Sequence, residues 1–428
     1  LEAERLYYTG NKENSEDLIS WISGQYSEQG EIKELVASFT FRIENDIKMK
    51  SNTIGVILPL SGDKKKFGER ALLGLDASLR RLKQKNKSLN IVIKDSRGSA
   101  AVGAKMVREL IESDSVSMVI GGLFSSEATR EYETAKKRGV FFISLSQIYV
   151  SKDEKDHLLL EVPGSIESQV NHLLSEEGQQ TFGKRGAIIY PRSKRGEAYV
   201  NEFWRKAQSQ EIEIKGVYSY DKEKKNFSDP VKNLLGLKFP RVRQEEYDLW
   251  KDIYSLESRR SARRIQILKP EIQFDWVFIP SIPLEAIQII PSFNYYDAYN
   301  VKLIGGPSWR SKRLDKESHR FREINFIGED VGNKVSQTLT QSFYDNYGRN
   351  ISVIELRAFD SMNMANEILE GQDYKTRDEL DMGIRTMKTL SGHTGEWILE
   401  DGVWIKKMSS LHFRRGKISQ IKKDEASL

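Results

Sequence analysis

Residues 53–62 read Thr-Ile-Gly-Val-Ile-Leu-Pro-Leu-Ser-Gly. Residues 54–58 form an apolar, partly β-branched run that is too short for a helix and is closed by Pro59, which marks a buried strand. The loop Ser61-Gly62-Asp63 follows, and from Phe67 the residues Ala71, Leu72, Leu75, Ala77, Ser78 and Leu79 make a helical stripe.

The same unit then repeats. Residues 91–93 read as a strand ending at Asp95, followed by a helix carrying Val102, Ala104, Met106, Val107, Leu110 and Ile111. Residues 118–120 are a third strand, stopped by Gly121-Gly122, with a helix over 127–137 and a fourth strand over 140–144. Short apolar strands separated by helices predict a parallel sheet covered on both faces. The pattern restarts at Arg185, with strands over 185–190, 213–218, 276–280 and 302–305 and helices over 196–208 and 284–293. A late helix over 355–370 precedes two hairpin signals, one at Asp401-Gly402 and one at Gly416. The expected architecture is α/β, with two Rossmann-like lobes joined by three crossovers near residues 161–165, 327–332 and 396–400. That gives 51–163 plus 330–398 as lobe 1 and 164–329 plus 399–428 as lobe 2. Ligands in open α/β sheets sit beyond the carboxyl ends of the strands, here the cleft between the lobes.

Residues 1–50 read as a short α-helical segment. Asn14 is placed to cap a helix carrying Leu18, Ile19, Ile22 and Tyr26. Gly30 breaks the pattern, and Ile32, Leu35, Val36, Phe39 and Ile43 make a second stripe. The segment is either an extension docked on the main domain or the last hairpin of a helical-repeat domain.

Composition narrows the function classes. The chain has 428 residues, no cysteine, and 67 Lys+Arg against 62 Asp+Glu, a net charge of +5. Thiolate catalysis, disulfides and cysteine-based zinc sites are excluded, and the charge excess is too small for a dedicated nucleic-acid binder. No apolar run approaches the roughly 18 residues of a membrane span. The sequence starts at Leu1 with no Met, signal peptide or lipidation site, as a trimmed chain would.

Chemical motifs are absent. Residues 62–69, Gly-Asp-Lys-Lys-Lys-Phe-Gly-Glu, have the wrong spacing for a phosphate loop, with Glu69 where Lys is needed. Neither G-x-G-x-x-G nor G-x-S-x-G occurs at the required place. His157, His172, His319, His393 and His412 are scattered, without ligand spacing, and read as surface or packing residues. No catalytic residue, cofactor or metal is expected.

What remains is a set of polar loops after the strands. Ser61, Ser125, Ser126 and Ser146 mark the first half, and Arg192, Ser281, Ser308 and Trp309 the second. Hydroxyls and free N–H groups there could hold an anion, Arg192 a carboxylate, and Trp309 could cover an apolar face. Serines at such places also serve simply as helix caps, and both readings stand. The charged insertion over 238–269 interleaves Arg and Glu. On a helix its Tyr247, Trp250 and Tyr254 share one face, either packed on the second lobe or offered to a partner.

The order of motifs resembles the type I periplasmic binding proteins of the Leu/Ile/Val-binding class. Residues 53–62 with Phe67-Gly68 and Gly74, then Lys94-Asp95-Ser96, residues 119–127 (Val-Ile-Gly-Gly-Leu-Phe-Ser-Ser-Glu) and residues 139–144 carry the likeness. Within that superfamily the chain is similar to the penicillin-binding-protein activators (LpoA-like), on residues 274–280, 301–309, 357–360 and 392–417. That resemblance implies a non-enzymatic periplasmic protein, anchored to the outer membrane through a lipid group missing from this chain, whose partner is a peptidoglycan synthase. The alternative is a solute receptor of a transporter or sensor, closing on a small polar ligand. Amino-acid receptors of the superfamily generally place a Thr-containing loop after the fourth strand. Here that loop reads Ser144-Leu-Ser-Gln-Ile-Tyr149, which counts against a free amino-acid ligand.

Overall fold

In the computed structural model the decisive stretch is the inner part of strand β1 (Lys50–Leu58), buried from Thr53 onward. The structure describes residues 2–8, 11–26, 28–46, 49–210, 212–221, 223, 227–246, 248–249, 252, 270–317, 324–329, 337–414 and 417–421. The aromatic face of Tyr247, Trp250 and Tyr254 lies outside the described residues, as does most of the insertion over 238–269.

The chain divides into two compact units. The first comprises Leu1–Ile148, Asp153–Ser165 and Asn333–Lys407, and the second Tyr149–Lys152, Ile166–Gly332 and Met408–Leu428. The first unit is built on a parallel sheet of β1, β2 (Asn90–Asp95), β3 (Val116–Gly121), β4 (Phe141–Ser144) and β5 (Leu159–Glu161), in the order β2-β1-β3-β4-β5. Helices Lys65–Gln84, Ala100–Glu112 and Ser125–Lys136 connect successive strands. The late helix, Val353–Leu369, packs on Lys65–Gln84 through Gly74: a Cβ at that position would meet the Glu355 carbonyl oxygen at 2.0 Å. That helix opens with a capping box of Ser352 and Glu355, and Arg70 Nε donates to Glu355 Oε1 at 2.8 Å.

A three-stranded antiparallel sheet completes this unit: β11 (Thr389–Gly392), β12 (Gly395–Glu400) and β13 (Val403–Lys406). It corrects the boundary expected over 396–400, because residues 399–407 stay in the first unit. The buried Trp397 donates from Nε1 to the Glu161 carbonyl at 3.0 Å, and Lys406 Nζ to the Val162 carbonyl at 2.7 Å. These bonds tie the small sheet to the end of β5, so the chain leaves only after Lys407. The expected turn is present, with Asp401 and Gly402 both at positive φ.

The second unit has a seven-stranded sheet. Its strands are β6 (Arg185–Pro191), β7 (Glu213–Tyr220), β8 (Trp276–Ile279), β9 (Lys302–Gly305), β10 (Ile324–Gly328), β14 (Ser409–Arg414) and β15 (Lys417–Gln420). The order is β15-β14-β10-β9-β8-β6-β7, with β14 antiparallel to both its neighbours, β10 and β15, and the other pairs parallel. Period-2 geometry explains why β8 is apolar throughout. Val277 and Ile279 enter the core on one face, with Phe293 and Trp309, while Trp276 and Phe278 enter the other, with Tyr199 and Phe203.

Residues 2–46 form three helices: Glu2–Tyr8, Lys12–Gln25 and Gly30–Asp46. Ala3, Tyr7 and Phe39 make a small core with Leu18, Ile19 and Ile43. Asn14 is not a cap. The helix begins two residues earlier, where Lys12 and Glu13 are competent helix formers, and Gly30 opens the third helix instead of ending the second. The third helix meets the first lobe at the end of Ser125–Lys136. There the Arg138 guanidinium lies 4.9 Å from the Phe41 ring centroid, and the Ser38 hydroxyl donates to the Lys137 carbonyl.

Candidate functional site

The carboxyl ends of β1, β3 and β4 open a small cup in the first lobe. Phe67, Leu123, Phe124, Leu145, Ile354 and Arg357 line it, and it encloses about 150 Å³. An apolar cavity of about 150 Å³ accepts a molecule the size of benzene. Phe67 stands at the start of the helix after β1 and Phe124 precedes the helix after β3, and the two rings meet edge to face at 5.4 Å. Among the described residues the one charged member of the lining is Arg357, from the first turns of Val353–Leu369, and none is a carboxylate.

Beside this cup lies a polar network that fixes the loops. Asp95 at the end of β2 accepts from the Leu60 N–H at 2.7 Å, the Ser61 hydroxyl at 2.6 Å and the Arg97 N–H at 2.8 Å. These bonds hold its carboxyl below the usual range, against the opposing effect of burial. Glu127 is 2% exposed and accepts from Lys64 Nζ at 2.6 Å and from the Ser96 hydroxyl at 2.9 Å. Lys64 Nζ also lies 4.5 Å from the Phe124 ring centroid. One turn further along, Glu131 accepts from the Gly122 N–H at 2.7 Å. Burial pushes its carboxyl up to about 8.

The expected serines therefore sit around the cup without lining it. Ser61 bonds Asp95, and Ser126 is exposed, its hydroxyl 3.3 Å from Lys64 Nζ. Ser125 is the first residue of its helix and half-buried. Ser146 has a buried hydroxyl with no hydrogen-bond partner among the described residues. The residues that do line the cup are apolar neighbours of these serines. An aromatic residue directly after a strand end, Phe67 or Phe124, was the signal available in the sequence.

In the second lobe the structure corrects three assignments. Trp309 is fully buried: its ring packs over Gly305, and Nε1 donates to the Ser281 carbonyl at 3.2 Å. It belongs to the core. Ser281 is equally buried and supports Trp309. Arg192 is exposed and turns to edge strand β7, donating from Nε to Ser219 Oγ at 3.0 Å. The arginine at these strand ends is Arg195, whose Nη2 reaches the Ser281 carbonyl and the Ser308 hydroxyl, both at 3.4 Å. Its guanidinium lies 5.4 Å from the Tyr149 ring and 6.0 Å from Tyr199, and its buried Nε has no hydrogen-bond partner among the described residues. A cation in the first turn of a helix opposes the helix dipole, and that misfit was the sequence clue to Arg195. Among the described residues no group of three or more acidic or histidine side chains could hold a metal ion.

No curated protein matches the chain. Residues 51–238 match the family model described as a periplasmic binding protein. Solved structures extend the likeness to most of the chain. A putative branched-chain amino acid ABC transporter protein from Rhodospirillum rubrum is 14% identical, with a TM-score of 0.63 over 86% of this chain and 99% of that one. An ABC transporter substrate-binding protein from Desulfitobacterium hafniense, in complex with Leu, is 18% identical, with a TM-score of 0.60 over 86% and 99%. A solute-binding protein from R. palustris, in complex with benzoate, is 15% identical, with a TM-score of 0.56 over 87% and 96%. With its two lobes of parallel sheet and helix, the chain has the type I periplasmic-binding-protein fold.

Proposed function

We propose that this chain is a non-enzymatic receptor of the periplasm for a small ligand with an apolar body and an anionic head. The observation that carries this reading is the composition of the first-lobe cup: among the described residues, five apolar side chains with Arg357 and no carboxylate. The apolar wall takes the body and the guanidinium pairs the anion. An ammonium group finds no counter-charge among the described residues of that lining, and Glu127 is already bound by Lys64. The preferred ligand is thus a carboxylate without an adjacent amine. Two of the similar structures hold benzoate and Leu, each an apolar body bearing a carboxylate. Thermal melting of the full chain with benzoate, 4-methylpentanoate and leucine tests the reading. Stabilisation by the two simple carboxylates, and less by leucine, supports it; no shift with any of the three at millimolar concentration opposes it.

A second reading, a regulator that binds a peptidoglycan synthase and is lipid-anchored, draws on the N-terminal helices. They form their own small core on the first lobe and expose Trp21 and Leu35. Similarity to transport receptors ranks it second. Retention of a penicillin-binding protein on the immobilised chain, lost in Trp21→Ala/Leu35→Ala, would raise it above the receptor reading.

A further inference from the structure

A second cavity lies in the first lobe, apart from the cup. It runs between the last turns of Lys65–Gln84 and the helix Gln337–Tyr347, touches Phe359, and encloses about 780 Å³. Ligand pockets fall in the range of about 300–1,000 Å³. Phe343 is the buried residue of Gln337–Tyr347, and the Tyr347 hydroxyl donates to Asp76 Oδ2 at 2.6 Å, which also accepts from Arg80 Nε at 2.8 Å. This bridge joins the two helices at one end and leaves the space between them open.

The lining has a definite chemistry. Ala77, Leu339, Phe343, Tyr347 and Phe359 supply apolar and aromatic surface. Arg80, Arg81 and Lys83 supply three cations, and among the described residues no carboxylate lines the groove. Arg80 is engaged by Asp76, whereas Arg81 and Lys83 make no ion pair among the described residues. The Arg81 guanidinium stands 5.8 Å from the Phe359 ring centroid. Cations in the last turn of a helix favour the dipole, but that does not require an open aromatic groove beside them.

We propose that this groove is a binding site for a small phosphomonoester with a flat apolar body. A phosphomonoester carries about −1.5 to −2 charges near pH 7, which matches the pair Arg81 and Lys83; a ring of that ligand lies against Phe343, Tyr347 and Phe359. This site stands independently of the receptor reading, since it shares no lining residue with the cup.

The experiment is calorimetric titration of the full chain with 1-naphthyl phosphate, 1-naphthol and inorganic phosphate. The expected result is one saturable site for the ester, with naphthol and inorganic phosphate each at least about tenfold weaker. Arg81→Gln with Lys83→Gln weakens the ester at least tenfold without changing the melting temperature, because both side chains are exposed. Asn346→Asp adds a carboxylate to the lining and weakens it likewise, a second readout should the double variant melt early. Arg357→Gln leaves the ester unaffected. Absence of saturable binding, equal affinity for naphthol, an unaffected double variant, or loss of binding in Arg357→Gln would each overturn the proposal.

Discussion

Lys64 Nζ stands 2.6 Å from Glu127 Oε1, and the carboxylate it meets is almost fully buried. This pair joins the start of the helix after β1 to the start of the helix after β3, 63 residues away in sequence. Between those two points lie Phe67 and Phe124, the aromatic rim of the cup. Breaking a fully buried pair by removing one partner costs about 3–5 kcal/mol. Lys64 is 32% exposed, so Lys64→Ala should cost less, about 2 kcal/mol. Urea unfolding measures it, and a loss below about 0.5 kcal/mol would show that water replaces the lysine at Glu127.

Glu131 gives the lobe a pH dependence of definite sign. Its folded pKa, raised to about 8, lies above the ordinary 4.5, so between those values the native chain keeps a proton that the unfolded chain has lost. Its contribution is therefore full below about pH 4.5 and is lost as pH rises towards 8, with a slope of at most about 1.4 kcal/mol per pH unit. Glu131→Gln can retain the bond from Gly122 and should flatten the dependence of melting temperature on pH between 5 and 8. An unchanged slope would mean that Glu131 is ionised in the folded chain.

Gly74→Ala tests the seam between Lys65–Gln84 and Val353–Leu369. The added methyl would meet backbone of the facing helix, at 2.0 Å from the Glu355 carbonyl oxygen. Overpacking against side chains typically costs about 1–3 kcal/mol, and backbone yields less, so a loss of about 3 kcal/mol is expected. Better helix propensity returns at most about 1 kcal/mol. A neutral or stabilising substitution would contradict the seam.

Trp309→Ala should cost about 3–5 kcal/mol, as for a core tryptophan. Unaltered melting together with weakened ligand binding would reverse the correction made above and return Trp309 to the site.

The inner strands were legible because they are buried on both faces, as β1 from Thr53 onward and β8 are. Residues 54–58 and 276–279 are apolar throughout, and no surface strand looks like that. The site was less legible. Polar residues after strands were the visible candidates, but in the folded chain their hydroxyls are used locally, Ser61 on Asp95 and Ser281 beside Trp309. Arg357 lies almost 300 residues from Phe67, and nothing in the local pattern of the late helix separates a lining residue from a packing one. Glu131 was hidden for a related reason: the space for its carboxyl is made by Gly103 and Gly121, on two other elements. The third crossing was placed early because a hairpin signal does not say which sheet it joins, and the bonds of Trp397 and Lys406 to the end of β5 decide that.

The most direct test of the receptor account is calorimetric titration of 4-methylpentanoate into the native chain and into Arg357→Gln. The account predicts one saturable site in the native chain, weakened at least tenfold by the substitution at unchanged melting temperature. Equal affinity in the two proteins, or no binding to the native chain at millimolar ligand, would contradict it.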